Sequence, residues 1–423
     1  MMLSNLSTPL LGMVDTAVVG HLAHPYYLGA VALGGTIFSF LFWSFGFLRM
    51  GTTGLTAQAH GKNDPVQINA TLARALLIAF ALAGMLLLLR RPLLTLSLRL
   101  LEASSQVEFH TQTYFDIRIF SAPATLGNYA CIGWFIGLRN TRIPLLLVLL
   151  VNLCNIAFDF WFVWVWRWQV AGVAMASVLA EYLGLAVGLT WVHKYWRRFS
   201  RPCRRHIFHW PQLRRMFAIN ANLMVRTLLL LFSFAFFTAQ SARLGDVTLA
   251  ANTILLNLQS FMAYTLDGFA HAAEAMVGNA LGKGNIALLR RNIRLAGTWS
   301  LIFATLFTLC YALAGKWIIS LLTGLEPVRT TAVEFLPFAI VLPLISAWSF
   351  VLDGVFIGLT RAREMRDVMI GSVVFCYLPL WWWLQDLDNL GLWLAFSGFM
   401  ALRTLGMEIQ RRRILSRLNP RGS

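Results

Sequence analysis

A few acidic and amide side chains lie at helical spacing within stretches that are otherwise almost wholly apolar. Asn152, Asn155 and Asp159 are spaced i, i+3 and i+7, so a helix would place them on one face. Asp15 and Ser177 lie in two other apolar stretches. Two nearby carboxylates in a medium of low dielectric resist ionising together, so such a pair would hold a proton with raised affinity. The same oxygens could instead coordinate Na⁺, with Asp15, Asp159 and Asn155 as ligands, so proton and sodium binding are competing hypotheses.

A second group of ionisable residues shares one face of another apolar stretch. Asp267, His271 and Glu274 are spaced i, i+4 and i+7. A charge at the centre of a bilayer costs about 2.5–3.5 kcal/mol, so each should face protein or a watery cavity. Asp267 and Glu274 could attract a cationic substrate or relay protons. Arg49 and Asp353 are further candidates for such a cavity, and a structural salt bridge is an open alternative for Arg49.

Three other ionisable residues lie nearer the ends of their predicted spans. Arg226, Arg403 and Glu408 are therefore expected to snorkel toward the headgroups or to pair with other charges.

Pro9 precedes Asp15 within one apolar stretch. Proline removes a backbone hydrogen bond and allows a helix to kink. We expect the helix to bend there when Asp15 takes up a proton, and a static kink is the alternative.

The overall composition indicates that the solvent of these stretches is lipid. Hydrophobic residues make up 58% of the 423 residues and charged residues 13%, whereas about 25% charged is typical of soluble domains. The net charge of +17 could suggest nucleic acid, but the cations lie in short segments between apolar runs, which is typical of membrane proteins. The five cysteines form no CxxC pair or zinc spacing, so neither a disulfide framework nor a metal site is predicted.

Twelve segments reach the length of about 20 apolar residues that a membrane-spanning helix needs. They are predicted at roughly 1–20, 28–58, 70–90, 114–138, 143–165, 171–194, 216–242, 249–280, 293–315, 331–359, 367–385 and 389–410. One set of connecting segments carries most of the lysines and arginines and should face the cytoplasm, which would place both termini inside.

The two halves of the sequence resemble each other at a fixed offset of 221 residues. Gly61-Lys62 matches Gly282-Lys283, and residues 135–138 match residues 356–359. We therefore predict an all-α polytopic membrane protein of two parallel six-helix lobes, at 1–194 and 216–423, joined by a basic cytoplasmic linker at 195–215. Residues 420–423 (PRGS) are expected to be a tail added for expression.

The sequence contains none of the common enzyme motifs. Residues 278–284 contain a Gly-Lys pair but have the wrong spacing for a phosphate-binding loop, and neither an HExxH motif nor a Gly-x-Ser-x-Gly elbow occurs. The chain is therefore predicted not to be an enzyme. A multi-pass membrane enzyme would need a nucleophile and base, or a metal set, near one face.

Several stretches resemble the multidrug and toxic compound extrusion (MATE) transporters. Residues 9–22 (PLLGMVDTAVVGHL) look like the first helix of that family. Three further stretches resemble the DinF branch of the family: residues 49–58 (RMGTTGLTAQ), 266–270 (LDGFA) and 352–362 (LDGVFIGLTRA). The resemblance covers nearly the whole chain and implies two six-helix lobes around a central V-shaped cleft.

The resemblance also implies an activity and a set of site residues. The aspartate of the family's first helix falls on Asp15, its Asn-x-x-x-Asp pair on Asn155 and Asp159, and its sixth-helix hydroxyl on Ser177. The family also has a proline that would precede Met1, so the first helix is expected to begin upstream of this numbering. The carboxylates of the sodium-using NorM branch are not clearly reproduced in the second half, which favours H⁺.

The predicted function is export of amphipathic, often cationic drugs or toxic metabolites by antiport with H⁺. The alternatives are an Na⁺-coupled exporter of the same family and a lipid-linked oligosaccharide flippase of the same superfamily, which would favour a strongly cationic cavity. No cofactor other than the coupling ion is expected. We expect contact with membrane lipids and no nucleic-acid partner, a monomer, and a location in the bacterial inner membrane.

Overall fold

The computed structural model describes residues 24–101, 104–199, 202 and 204–418. The first predicted span, with Pro9 and Asp15, lies outside these residues. Within the described ranges the regular secondary structure is helical throughout, and no strand occurs. Contacts divide the chain into two units, one reaching Met216 and the other starting at Phe217.

The first unit contains nine described helices, several of which begin at a proline or a capping side chain. They are α1 (Pro25–Ser44), α2 (Phe47–Gly61), α3 (Pro65–Leu88), α4 (Arg90–Leu101), α5 (Ser105–Arg118), α6 (Ala122–Gly137), α7 (Arg142–Asp159), α8 (Gln169–Trp196) and the short α9 (Arg204–Ile207).

The second unit contains longer helices, and its boundary with the first falls inside α10. The described helices are α10 (Trp210–Arg243), α11 (Asp246–Gly282), α12 (Ile286–Leu322), α13 (Glu326–Gly358), α14 (Ala362–Ser372), α15 (Leu378–Leu384) and α16 (Asp388–Leu418). Its core is rich in aromatic side chains, among them the fully buried Phe237, Tyr377, Trp393 and Phe396.

The predicted duplication reappears as the same close helix contact in each unit. A Cβ on Gly133 of α6 would collide with the carbonyl oxygen of Arg49 in α2. In the second unit, a Cβ on Gly354 of α13 would collide with the carbonyl oxygen of Ala270 in α11. Both residues of the second pair lie 221 positions after their counterparts, so glycine permits the same approach of backbones twice.

The backbone turns are repeated at the same offset. Asn63 and Gly284 adopt positive φ angles of 53° and 67°, and Arg139 and Thr360 adopt 61° and 55°. A positive φ is uncommon outside glycine, so its recurrence at both equivalent pairs is a specific feature. It shows that the two units share the conformation of these turns.

Equivalent side chains also start equivalent helices. Asp64 accepts a hydrogen bond from the Gln67 N–H at 3.0 Å and caps α3. Asn285 accepts one from the Leu288 N–H at 2.8 Å and caps α12. Such a cap pairs one of the amide groups that a helix N-terminus otherwise leaves unbonded.

Some predicted spans are interrupted rather than continuous. The second predicted span divides into α1 and α2 at Phe45 and Gly46, and the eleventh contains a π-helical segment at Val373–Tyr377. A second π-helical segment, Phe160–Val165, follows α7 directly. Single turns of this kind are frequently found at functional sites.

Eight helical segments of the described chain are long and apolar enough to cross a membrane. They account for nine of the twelve predicted spans, because the eleventh and twelfth form one continuous segment, Ala362–Leu418. The fourth and eighth predicted spans form helices within Ser105–Gly137 and Asp246–Gly282 that are not among the eight. The eighth includes Asp267, His271 and Glu274, polar residues that lower its mean hydropathy.

Candidate functional site

A buried polar group lies between α7 and α8 in the first unit. Asn155 is 2% exposed, and its Nδ2 donates a hydrogen bond to Ser177 Oγ at 3.2 Å. Asp159, one helical turn along α7, is fully buried. The structure thus brings together three of the residues predicted to bind the coupling ion, while Asn152 is half-buried on the same helix.

The Asn155 carbonyl oxygen is a further acceptor at this position. Within the part of the chain that the structure describes, no donor forms a hydrogen bond with Asn155 Oδ1, although the atom is inaccessible to solvent. Leaving a buried acceptor unbonded costs about 1–3 kcal/mol, so such atoms are uncommon unless they serve a purpose. A cation or a donor group reaching this oxygen would remove that cost.

Small residues let α8 approach the segment that carries the carboxylate. A Cβ on Gly172 would lie 3.2 Å from Phe162 in the π-helical segment, and a Cβ on Gly184 would overlap the Val151 side chain of α7. Asp159 is the last residue of α7, so its position is set where the helix changes from α to π geometry. The close packing and the π turn together place the carboxylate in the interior of the unit.

A second polar contact joins α6 to α8 and was missed by the sequence reasoning. Asn128 Nδ2 donates to Glu181 Oε2 at 2.8 Å and to the Glu181 carbonyl oxygen at 3.0 Å. Glu181 follows Ser177 by four residues, so the two side chains share one face of α8. The sequence did contain a sign of this contact, because Glu181 is an acidic residue within an otherwise apolar predicted span.

In the second unit, the candidate residue Asp353 is held by two arginines. Arg226 of α10 and Arg403 of α16 both donate from Nη2 to Asp353 Oδ2. All three residues are buried. The expectation that the arginines lie near helix ends and snorkel is wrong, because α10 and α16 extend beyond their predicted spans and place both arginines near mid-helix. The alternative expectation, that they pair, is correct.

Glu408 also pairs rather than snorkels. Its carboxylate accepts from Arg411 Nη2 at 2.6 Å, from Arg412 Nε at 2.7 Å and from Trp348 Nε1 at 3.0 Å.

The acidic and imidazole set on α11 is present with its predicted spacing. His271 and Glu274 are buried, whereas Asp267 is half-buried and interacts electrostatically with Arg403. Arg49 lies half-buried on α2, and its carbonyl oxygen accepts a hydrogen bond from Thr53 Oγ1 at 2.8 Å. The relay and substrate-attracting roles of these residues stay predictions.

Across residues 24–101, 104–199, 202 and 204–418, no three histidine, cysteine or carboxylate side chains are grouped so as to hold a metal ion. Sodium binding through Asp15, Asp159 and Asn155 stays a prediction, since Asp15 and Pro9 lie outside the described residues.

Comparison with known proteins identifies the family of this chain. The model of the family named MatE matches the chain twice, over residues 1–161 and 223–383. The chain belongs to the MatE family. The double match places one copy in each half of the chain, which confirms the duplication inferred from the offset of 221 residues.

Individual relatives confirm the resemblance to the DinF branch of the MatE family. DNA damage-inducible protein F of Escherichia coli (strain K12) is 42% identical over 417 residues, covering 98% of this chain and 90% of the relative. The probable multidrug resistance protein NorM of Idiomarina loihiensis is 22% identical and covers 98% and 92% of the two chains. MatE proteins are transporters, so the prediction that this chain is not an enzyme is confirmed.

A solved structure confirms the fold class. An outward-facing multidrug resistance MATE family transporter of the MOP superfamily superposes with a TM-score of 0.89 at 17% sequence identity. The alignment covers 99% of this chain and 94% of that chain. The all-α polytopic membrane fold predicted from the sequence is therefore correct, and the described helices are consistent with a twelve-helix layout.

Proposed function

We propose that this MatE protein exports amphipathic, often cationic organic compounds in exchange for H⁺. The observation that carries the proposal is the buried Asn155–Ser177 hydrogen bond next to the fully buried carboxylate of Asp159. Ionisable residues within membrane spans are expensive and are functional by default. Its relatives, which include a probable multidrug resistance protein, support the choice of substrate class.

In the proposed coupling mechanism, a carboxylate binds a proton and a cationic substrate in alternation. Asp15 would carry the coupling, and Asp159, Asn155 and Ser177 would tune its proton affinity. A carboxylate in a low-dielectric interior favours the neutral, protonated form, whereas a neighbouring cation favours ionisation. Proton entry would thus displace a cationic substrate, and bending of the first helix at Pro9 would accompany it. One charge moving through 100 mV supplies about 2.3 kcal/mol, which is enough to drive useful gradients.

The compensated charge of Asp353 in the second unit supports the choice of H⁺ over Na⁺. Asp353 is already neutralised by Arg226 and Arg403, so it has no spare negative charge for a bound cation. Sodium prefers several anionic or carbonyl oxygens. In the described chain, two guanidinium groups bind Asp353 Oδ2 and compensate the charge of the whole carboxylate. Na⁺ coupling through Asp15, Asp159 and Asn155 remains the alternative that the experiment below decides.

A lipid-linked oligosaccharide flippase is less well supported. An anionic pyrophosphate substrate would favour an excess of positive charge among the buried groups. Arg226 and Arg403 are instead accompanied by Asp353 and, through space, by Asp267, so the group is close to neutral.

We also propose that the protein lies in the bacterial inner membrane with both termini in the cytoplasm. The distribution of lysine and arginine between the connecting segments supports this orientation. Accessibility of single cysteines placed on the 195–215 segment and near Arg167, on the opposite set of connecting segments, would test it.

The decisive experiment measures drug/H⁺ exchange in proteoliposomes, with ethidium as the cationic probe, in the presence and absence of Na⁺. Asp15→Asn is expected to abolish most of the pH-driven ethidium export, and Asp159→Asn is expected to shift its pH dependence. Asp386→Asn is the matched control, because Asp386 is an exposed carboxylate in a connecting turn. Thermal unfolding midpoints of all the variants establish that they are folded.

Two results would overturn parts of the proposal. Full ethidium export by Asp15→Asn would remove the coupling assignment. Export by the unmodified protein that requires a sodium gradient and ignores the pH gradient would reverse the choice of ion.

A further inference from the structure

One end of the second unit contains a basic cavity that plays no part in the proposed coupling. Its volume is about 490 Å³, and it is formed by side chains of α12, α13 and α16. The polar and aromatic groups that line it are Arg290, Arg294, Trp348, Arg411, Arg412 and Ser416. The cavity lies at the end of the unit that the positive-inside rule assigns to the cytoplasm.

Two of the arginines are fixed in place by the Glu408 carboxylate. Arg411 donates to it in bidentate fashion, from Nε at 2.7 Å and from Nη2 at 2.6 Å. Arg412 Nε donates to the same carboxylate at 2.7 Å, and Trp348 Nε1 completes the arrangement at 3.0 Å. Glu408 therefore orients these cations and compensates the charge of one of them.

The other two arginines are not compensated. Arg290 and Arg294 are four residues apart on α12, so their side chains share one helix face, where like charges repel. Among the described residues, no carboxylate forms an ion pair with either of them. Four guanidinium groups face one carboxylate, so the cavity has an excess of three positive charges and suits an anion with several oxygens.

Exposed apolar side chains continue from the cavity along both bordering helices. Leu301 is seven residues after Arg294 on α12 and is 54% exposed. On α16, Ile409 and Leu405 precede Arg412 by three and seven residues and are 51% and 59% exposed. These spacings place each apolar residue on the same helix face as its arginine, toward the middle of the span. An anionic head with apolar chains matches this surface better than a free anion does.

We propose that this cavity binds the phosphodiester headgroup of an anionic phospholipid, with its acyl chains lying along the exposed faces of α12 and α16. Guanidinium groups recognise phosphate through paired N–H donors. Trp348 supplies the amphipathic ring that is typical of the headgroup level. Basic pockets between helices on the cytoplasmic side are suited to such headgroups. The lipid would hold α12, α13 and α16 together at this end of the unit.

The test compares the unmodified protein with three variants that differ in charge and position. Arg290→Gln/Arg294→Gln removes the uncompensated charges, and Arg290→Lys/Arg294→Lys preserves them. The matched control is Arg291→Gln/Arg413→Gln, which removes two exposed arginines from the same helices, each next to a lining residue but outside the cavity. Each purified protein is titrated in detergent with phosphatidylglycerol, with phosphatidylcholine or with inorganic phosphate, and bound lipid is counted by native mass spectrometry.

We expect phosphatidylglycerol to be retained and to raise the unfolding temperature, and phosphatidylcholine and phosphate to do neither. The glutamine pair should bind phosphatidylglycerol about thirtyfold more weakly, because it removes two basic residues that each contribute to the attraction of anionic lipid. The control pair should retain most of the binding, and the lysine pair an intermediate share, because lysine keeps the charge and loses the paired N–H donors.

Three results would overturn the proposal. They are equal retention of phosphatidylcholine, equal weakening in the control pair, and equal protection by inorganic phosphate, which would make the ligand a free anion. Because the readout is binding, it does not depend on transport activity.

Discussion

Asn155 Nδ2 donates a hydrogen bond to Ser177 Oγ at 3.2 Å, and this contact joins α7 to α8 beside the buried Asp159 carboxylate. Ser177→Ala is expected to lower the free energy of unfolding by about 1 kcal/mol, since it removes one partner of a buried hydrogen bond. It should also change the pH dependence of ethidium export, because Asn155 would lose its fixed orientation. Ser177→Thr keeps the hydroxyl and should retain the unmodified pH profile. An unchanged profile in Ser177→Ala would separate this contact from coupling.

Gly133 and Gly354 are expected to be equally intolerant of substitution. An added methyl group would collide with a backbone carbonyl in both cases, and overpacking typically costs about 1–3 kcal/mol. Gly84→Ala and Gly371→Ala are the controls, because no atom outside the local helix backbone lies within 4 Å of the added group and alanine favours helix by up to about 1 kcal/mol. Unfolding midpoints should fall for the first two and stay level or rise for the controls. A large loss at one site alone would argue against equivalent packing in the two units.

Asp353→Asn should destabilise the second unit strongly. It leaves Arg226 and Arg403 buried without their shared carboxylate, and breaking a buried ion pair typically costs about 3–5 kcal/mol. Arg329→Gln provides the comparison, since its ion pair with Glu326 is exposed and such pairs contribute about 1 kcal/mol or less. Thermal unfolding in detergent measures both. A normal midpoint for Asp353→Asn would indicate that the arginines find other compensation.

Glu181→Gln and Glu181→Ala should differ in stability. The glutamine amide oxygen can still accept the hydrogen bond from Asn128. Alanine removes this hydrogen bond and leaves Asn128 bonded to the Glu181 carbonyl oxygen alone, at a cost of about 1 kcal/mol. We expect the unfolding midpoint to fall clearly in the alanine variant and only slightly in the glutamine variant. Equal losses would show that the negative charge of Glu181, rather than its hydrogen bond, stabilises the unit.

Features repeated along the chain could be predicted from the sequence. The offset of 221 residues predicted a duplication, and the close contacts of Gly133 and Gly354 recur in the two units at that offset. The spacing of Asn155 and Asp159 likewise anticipated that both are buried on one side of α7. These features depend on local helical geometry, which residue spacing determines.

Features that depend on helix ends and on tertiary contacts could not be predicted in this way. Arg226 and Arg403 were placed near helix ends because hydropathy defines the apolar part of a span and not the polar turns that extend it. The partner of Glu181 is Asn128, 53 residues away on another helix, and no spacing rule connects them. The π-helical segment after Asp159 has no sequence signature that we recognise.

The π-helical segment that follows Asp159 allows one stretch of chain to bury a carboxylate and to expose the tryptophans next to it. The carboxylate must point inward, while Trp161 and Trp164, just beyond it, are 56% and 49% exposed. A π turn contains one more residue than an α turn. The side chains after it therefore face different directions around the helix axis than a continuous α-helix would give them. Deleting one residue between 160 and 165 would restore the α register, and then either the exposed Trp161 and Trp164 or the buried Asp159 would have to turn away from its present side of the helix.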